Sequence, residues 1–139
     1  MRAEDRDVYE ALFKIGLTED EIDKQFETNV DLKVVLGEDI RQEIDFLKQY
    51  NLTEEEIAEI SRKNPWILTE DFQRMRFLEK YYAEVGINDL GKLLKKQPIS
   101  MSVNPKNVKD FIDQLIEKGK AKEELKIILF NDFEKYFKL

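Results

Sequence analysis

A short motif that returns every 35 residues constrains the fold of this chain more than any other feature. The heptapeptide GLTEDEI (residues 16–22) comes back as NLTEEEI (residues 51–57) and, in weaker form, as GINDL (residues 86–90). A degraded copy, GKAKEEL, follows 33 residues later (residues 119–125). A fixed period of this length is typical of stacked helical arrays, in which no repeat buries its apolar face alone. The sequence therefore predicts about three and a half repeats of roughly 35 residues each.

Local signals within each repeat mark where helices begin. Thr18 with Glu21, and Thr53 with Glu56, have the spacing of a capping box, in which the hydroxyl accepts a backbone N–H and the glutamate reaches back. The sequence TED at residues 69–71 predicts an N-cap followed by an acidic first turn for a longer second helix. Each repeat is therefore predicted to contain a short first helix and a longer second one.

Other signals mark where these helices end. The first helices are expected to stop before Pro65 and Pro98, because proline disfavours the helical conformation of the residue before it. The second helices are expected to end at a left-handed glycine or asparagine, namely Asn51, Gly86 and Gly119. With a leading helix near residues 4–14 and a closing pair near 122–138, the prediction is all-α. It is a right-stacked array of helix pairs (an α-solenoid) forming a single domain over residues 1–139.

Composition excludes several classes of protein. The chain is 42% hydrophobic and 38% charged, and it contains neither cysteine nor histidine. Such a composition rules out intrinsic disorder, and no apolar run is long enough to cross a bilayer. The N-terminal residues lack the apolar region of a signal peptide and the serine-rich character of a transit peptide. We therefore expect an intracellular protein, cytoplasmic rather than organellar, that makes no contact with a membrane.

The order of residues within the repeat resembles the repeat of the mitochondrial transcription termination factor (mTERF) family. The resemblance covers most of the chain and is best in the second repeat. It is carried by Leu52, Thr53, Ile57, Ile60, Pro65, Trp66, Ile67, Leu68, Phe77, Leu78, Gly86 and Ile87. It implies a curved solenoid of helix pairs, each with an extra short turn of helix. It also implies nucleic-acid binding, because members of the family mostly bind double-stranded DNA or RNA.

Catalysis and metal binding are not expected. Without cysteine and histidine, most nucleophile–base pairs and all thiolate or imidazole metal sites are absent. The dense acids at residues 19–23 and 54–59 lack the glycine turn and the alternating ligands of a calcium loop, and helix starts account for them. We therefore expect no enzyme activity, no cofactor, no metal and no small-molecule substrate.

Charge is distributed unevenly along the chain and leaves two functions open. Residues 1–60 carry 7 Lys and Arg against 18 Asp and Glu, a balance of −11, whereas residues 61–139 carry 16 against 12, a balance of +4. A basic half can face a polyanion while the acidic half faces away. The first hypothesis is accordingly a nucleic-acid (DNA or RNA) binder. The alternative is an acidic protein-interaction or regulatory module that docks a basic protein partner.

The basic residues that could contact phosphate lie mainly near helix ends that recur along the array. Their other explanation is that cations near a helix C-terminus complement the macrodipole, by about 0.3–1 kcal/mol each. The ten candidates are Arg62, Lys63, Arg74, Arg76, Lys92, Lys95, Lys96, Lys118, Lys120 and Lys122.

The only tryptophan, Trp66, follows the helix-breaking Pro65. It could stack a base or anchor a partner, but in an array it is expected to fill the core between repeats.

Overall fold

The computed structural model describes residues 2–139, which form nine α-helices and two 3₁₀ helices without any strand. The α-helices are α1 (Ala3–Lys14), α2 (Glu19–Thr28), α3 (Gly37–Lys48), α4 (Glu54–Lys63), α5 (Phe72–Glu84), α6 (Leu90–Lys96), α7 (Pro105–Glu117), α8 (Lys122–Asn131) and α9 (Phe133–Tyr136). The 3₁₀ helices, Val30–Lys33 and Pro65–Thr69, connect α2 to α3 and α4 to α5. The all-α prediction is confirmed.

The helices repeat as pairs, as the 35-residue period predicts. The first repeat contains α2 and α3, the second α4 and α5, and the third α6 and α7, while α1 leads and α8 with α9 closes the series. The third repeat replaces the 3₁₀ helix by turns at residues 98–102. These turns are held by Tyr82, whose buried hydroxyl donates a hydrogen bond of 2.5 Å to the carbonyl of Ser100. The helical-repeat fold is therefore confirmed, with a modified connection in its third repeat.

The junction between successive repeats is a left-handed residue at the same place each time. The backbone φ angle is +106° at Gly16, +61° at Asn51, +87° at Gly86 and +88° at Gly119. Side chains disfavour this region, so glycine or asparagine is the residue type that ends a helix this way. The following residues, Leu17, Leu52 and Ile87, are at most 5% exposed. In each of the three repeats a left-handed junction residue is therefore followed by a buried aliphatic side chain.

The two predicted capping boxes form at the starts of α2 and α4. Thr18 Oγ1 accepts from the Glu21 backbone N–H at 3.2 Å, and Thr53 Oγ1 accepts from that of Glu56 at 3.1 Å. Each glutamate in turn accepts from the backbone N–H of its threonine at 2.9 Å.

The predicted start of α5 was wrong in one detail. Asp71 is its N-cap, and its carboxylate accepts the N–H of Arg74 at 3.1 Å. The hydroxyl of Thr69 instead accepts a hydrogen bond from the side-chain amide of Asn29 in the preceding repeat. Thr69, which the local sequence predicts as the N-cap of α5, therefore accepts a hydrogen bond between repeats instead.

The chain divides into two compact units, residues 2–70 and 71–139, each with a core of its own. In the N-terminal unit α1 packs against α3, with Leu12, Ile22 and Ile40 fully buried. In the C-terminal unit α5 packs against α7 and α6 against α8, with Leu78 and Leu93 fully buried. The single domain expected from the sequence stays a prediction. Within residues 2–139 there is no helix with the length and apolarity that a membrane crossing requires.

Buried amide side chains join one repeat to the next. Asn29, which ends α2, donates to the carbonyl of Pro65 at 3.1 Å and to Thr69 Oγ1 at 2.9 Å. Gln97, which ends α6, donates to the carbonyl of Phe130 at 2.7 Å. Because both amides are buried, these bonds cannot be replaced by water at little cost.

The expectation that Trp66 fills the core was wrong. Trp66 keeps 38% of its surface exposed, whereas Ile67 and Leu68 beside it are buried. A 3₁₀ helix has three residues per turn, so Asn64 and Ile67 share one side, which faces the core. Trp66 and Thr69 share another side, which is partly open. The backbone geometry of the short helix therefore decides the orientation of the indole.

The same geometry gives a stability prediction for the first 3₁₀ helix. Leu32 is 0% exposed, so Leu32→Ala should lower the free energy of unfolding by about 2–5 kcal/mol. Val30 in the same helix is 63% exposed, so Val30→Ala should change it by about 0.5 kcal/mol or less. Urea unfolding of both variants measures the difference. Equal losses of unfolding free energy in the two variants would contradict the assignment of Leu32 to the core side and of Val30 to the solvent side.

Candidate nucleic-acid interface

Every exposed residue of α6 is a lysine. Four of its seven residues are buried, namely Leu90, Gly91, Leu93 and Leu94. The other three, Lys92, Lys95 and Lys96, are exposed. Their spacing of i, i+3 and i+4 places them on one face of the helix. The outer face of α6 therefore carries three positive charges and no carboxylate.

The equivalent helices in the N-terminal unit have a different outer face. On α2 the exposed side chains include four carboxylates, Glu19, Asp20, Asp23 and Glu27. On α4 the exposed basic residues Arg62 and Lys63 lie beside Glu59. Helix-dipole stabilisation can explain lysines at the C-terminus of α6, but it does not explain why acids are absent from the rest of its surface.

Local sequence positions these lysines. The carboxylate of Asp89 caps α6 by accepting the backbone N–H of Lys92 at 3.0 Å, which fixes where the helix begins. The leucines at 90, 93 and 94 then face the core, and the intervening lysines necessarily face outward.

A groove of about 400 Å³ lies between α6 and α8. Lys92 and Lys96 line it from α6, and Lys126, Ile127 and Phe130 line it from α8. Lys96 donates a hydrogen bond from Nζ to Asn131 Oδ1. The carboxylates of Asp89 and Glu123 lie at the start of the two helices. The groove therefore combines three ammonium groups and two carboxylates with the apolar side chains of Ile127 and Phe130, which we call its apolar floor. Sequence reasoning missed Lys126 and Phe130, because the pairing of α6 with α8 has no local signal.

Arg62, one of the ten predicted basic residues, is occupied inside the N-terminal unit. Its Nε donates to Glu21 Oε2 at 2.5 Å, and its other nitrogens bond to Glu59 at 3.0 Å and to the carbonyl of Gly16 at 3.4 Å. The hydrogen bond to Glu21 raises the pKa of Arg62. The pKa of Glu21 is lowered, first by the backbone N–H of Thr18 and then by Arg62. Arg62 thus joins the first two repeats.

Other predicted residues also have protein partners. Lys63 lies 3.8 Å from Glu59, Arg76 lies 2.7 Å from Glu79, and Lys120 lies 3.7 Å from Glu124. Arg74 donates to the carbonyl of Val103 at 3.4 Å.

By contrast, Lys92, Lys118 and Lys122 form no ion pair with any residue from 2 to 139, and all three are exposed. The structure brings Lys92 and Lys96 together on one groove, and the assignment of all ten residues to an interface stays a prediction.

Two observations bear on catalysis and metal binding. No cluster of three or more acidic side chains among residues 2–139 has the arrangement of a metal site. Burial raises the pKa of Tyr82, and burial followed by the hydrogen bond to Asp23 raises that of Tyr9 to about 12. Both shifts move the phenols further from the phenolate form that a general base requires.

The mTERF family model matches residues 6–131, which spans all three repeats and α8. No curated protein and no solved structure matches the chain.

The ion pair of Arg62 with Glu21 predicts a pH dependence of stability. Because the folded-state pKa of Glu21 is lowered, its contribution is present above its unfolded pKa and is lost as pH falls through the folded value. Glu21→Gln keeps the capping box but removes the charge. The variant should unfold at lower urea concentration than the parent at pH 7, and the gap should close towards about pH 3.

The control for this measurement is Glu55→Gln, which alters an exposed acid of α4 that forms no ion pair in the described residues. A gap of the same size at both pH values for Glu21→Gln would contradict the assigned role of the ion pair.

Proposed function

The chain belongs to the mTERF family, and from this premise we propose that it is a non-catalytic helical-repeat module that binds DNA or RNA. The observation that carries the proposal is the outer face of α6, on which Lys92, Lys95 and Lys96 are the exposed residues. Phosphate contacts by such side chains supply most of the non-specific affinity for nucleic acids.

The distribution of charge between the units supports binding of the polyanion by the C-terminal unit. The C-terminal unit carries 14 Lys and Arg against 11 Asp and Glu, whereas the N-terminal unit carries 9 against 19. A charge of −10 would repel phosphate, so in this proposal the ligand binds the C-terminal unit and not the N-terminal one. The contact surface consists of the lysines on α6 together with Lys122 and Lys126 on α8.

A protein partner is the alternative. The N-terminal unit is strongly acidic, and it exposes apolar side chains at its first 3₁₀ helix and just after it. Val30 is 63% exposed, Val34 73% and Leu36 50%. A basic partner with an apolar contact face would fit this surface, and this alternative gains support if the chain binds no nucleic acid.

Salt dependence tests the proposal. Four to six lysines acting together should give a slope of about −3 to −5 when the logarithm of the binding constant is plotted against that of salt concentration on duplex DNA. Fluorescence anisotropy with labelled duplex DNA and RNA measures this slope. Absence of binding at about 50 mM salt to any duplex or single strand would reject the nucleic-acid proposal.

Removal of two lysines should alter the slope in a predictable way. Lys95→Ala combined with Lys96→Ala should weaken binding and flatten the slope by up to about 2, with little change in stability. The matched control is Lys24→Ala combined with Lys33→Ala, which removes the same charge from exposed positions of the N-terminal unit. Equal weakening by both pairs would show that net charge, rather than α6, determines binding.

A further inference from the structure

The repeat places two grooves at equivalent positions, one in each unit. The first, of about 340 Å³, lies between α2 and α4, and the second is the groove between α6 and α8. Equivalent positions of the two grooves are found by counting back from the C-cap residue of each helix. Asn29 of α2 is aligned with Gln97 of α6, and Asn64 of α4 with Asp132 of α8. By this count Glu21 corresponds to Asp89, Lys24 to Lys92, Thr28 to Lys96, Glu59 to Ile127 and Arg62 to Phe130.

An ion pair crosses the groove of the N-terminal unit. Arg62 extends from α4 to Glu21 on α2, and its guanidinium donates a second hydrogen bond to Glu59 on its own helix. The side chain at this position therefore makes an internal bridge, and none of the residues that line this groove is aromatic.

The groove of the C-terminal unit carries no such bridge. Phe130 stands where Arg62 stands, so the carboxylate at the position of Glu21, which is Asp89, has no guanidinium to bind. The phenyl ring is half-buried, and Ile127, at the position of Glu59, is 53% exposed. The ammonium of Lys92 lies 6.0 Å from the ring centroid. Two positions that are charged in the N-terminal groove are thus apolar in the C-terminal groove. On the facing helix, Lys92 retains the lysine of the N-terminal groove and Lys96 adds a second one.

We propose that this groove receives one unpaired nucleotide of a single-stranded nucleic acid, with its base against Phe130 and its flanking phosphates at Lys92, Lys96 and Lys126. The inference rests on the proposed function and specifies the form of nucleic acid. Proteins bind single strands by combining a basic groove with an aromatic ring on which a base stacks. A volume of about 400 Å³ lies in the range of small-ligand sites.

Duplex DNA or RNA would leave the floor of the groove unused. Its bases are stacked and paired inside the helix, so that it presents phosphates to the surface and does not insert a base unless one is flipped out. Phosphates of a duplex would contact the lysines but neither the exposed Ile127 nor the half-buried Phe130 between them. The apolar floor is therefore the observation that selects a single strand.

The test uses the full chain and three ligands of equal length, namely oligo-dT, an oligo-dT strand whose central nucleotides are abasic, and a duplex. The intact strand should bind about tenfold more tightly than the strand with abasic nucleotides, although both carry the same phosphates. Equal affinity for the two would overturn the inference.

Substitution of Phe130 by arginine distinguishes stacking of a base on its ring from binding of phosphates alone. The two predict opposite changes in the affinity for oligo-dT. Phe130→Arg restores the residue of the N-terminal groove, and the added guanidinium can bridge to Asp89. Affinity for oligo-dT should fall about tenfold despite the added positive charge, and affinity for the duplex should stay the same or rise. The control Ile116→Arg adds the same charge at a residue of α7 that is 41% exposed and outside the groove, and it should not weaken either ligand.

Phe130→Leu keeps the apolar floor without the ring, and the bond from Gln97 to the backbone carbonyl of Phe130 survives any change of side chain. This variant should lose the quenching of a 2-aminopurine placed in the oligo-dT strand, a signal of base stacking, and melting curves show whether it folds. If Phe130→Arg tightens both ligands, or Phe130→Leu keeps the quenching, the groove binds phosphates only. The proposed function would then stand without the single-strand inference, whereas a parent chain that binds none of the ligands would reject both.

Discussion

The stacking of repeats depends on a side-chain amide that ends a first helix and is buried against the following repeat. Asn29 and Gln97 lie at this position, and each donates to a backbone carbonyl about one repeat further along the chain. Leaving such a buried donor unpaired costs about 1–3 kcal/mol, so the register of one repeat on the next cannot slip without penalty. This register decides which outward positions become neighbours. The ammonium of Lys92 lies over the ring of Phe130, and Arg62 donates to Glu21, because this register places these positions side by side.

A fixed register lets outward positions differ between repeats while the stack is maintained. The left-handed junctions and the buried residues after them have the same character in each repeat. The residues between them vary from the carboxylates of α2 to the lysines of α6. Surface ion pairs such as that of Lys63 with Glu59 contribute little to stability, so these positions are free to change in charge. The acidic N-terminal unit and the basic C-terminal unit follow from such changes.

Local features were predictable from the sequence, and features that depend on packing were not. Capping boxes, left-handed junctions and the amphipathic faces of helices depend on residues within a few positions of each other, and both capping boxes formed as predicted. The orientation of Trp66 depends on the short 3₁₀ helix, and the role of Thr69 depends on Asn29, which lies 40 residues earlier. The groove depends on α6 packing beside α8, which no local pattern of charge or hydrophobicity contains.

The difference between the two grooves indicates where function arises in a repeat protein of this kind. In the N-terminal groove Arg62 is bound by two carboxylates and a carbonyl, and its hydrogen-bonding capacity is largely used within the protein. In the C-terminal groove the equivalent Phe130 cannot bind the facing acid. Its half-buried ring lies beside the ammonium of Lys92, and Lys96 donates a single hydrogen bond, to Asn131. A charged side chain in a stack can either hold the protein together or bind a polyanion, because the same donors cannot do both at full strength. The candidate interface therefore lies where lysines surround an aromatic side chain, and basic residues counted from the sequence identify it only after their internal partners are known.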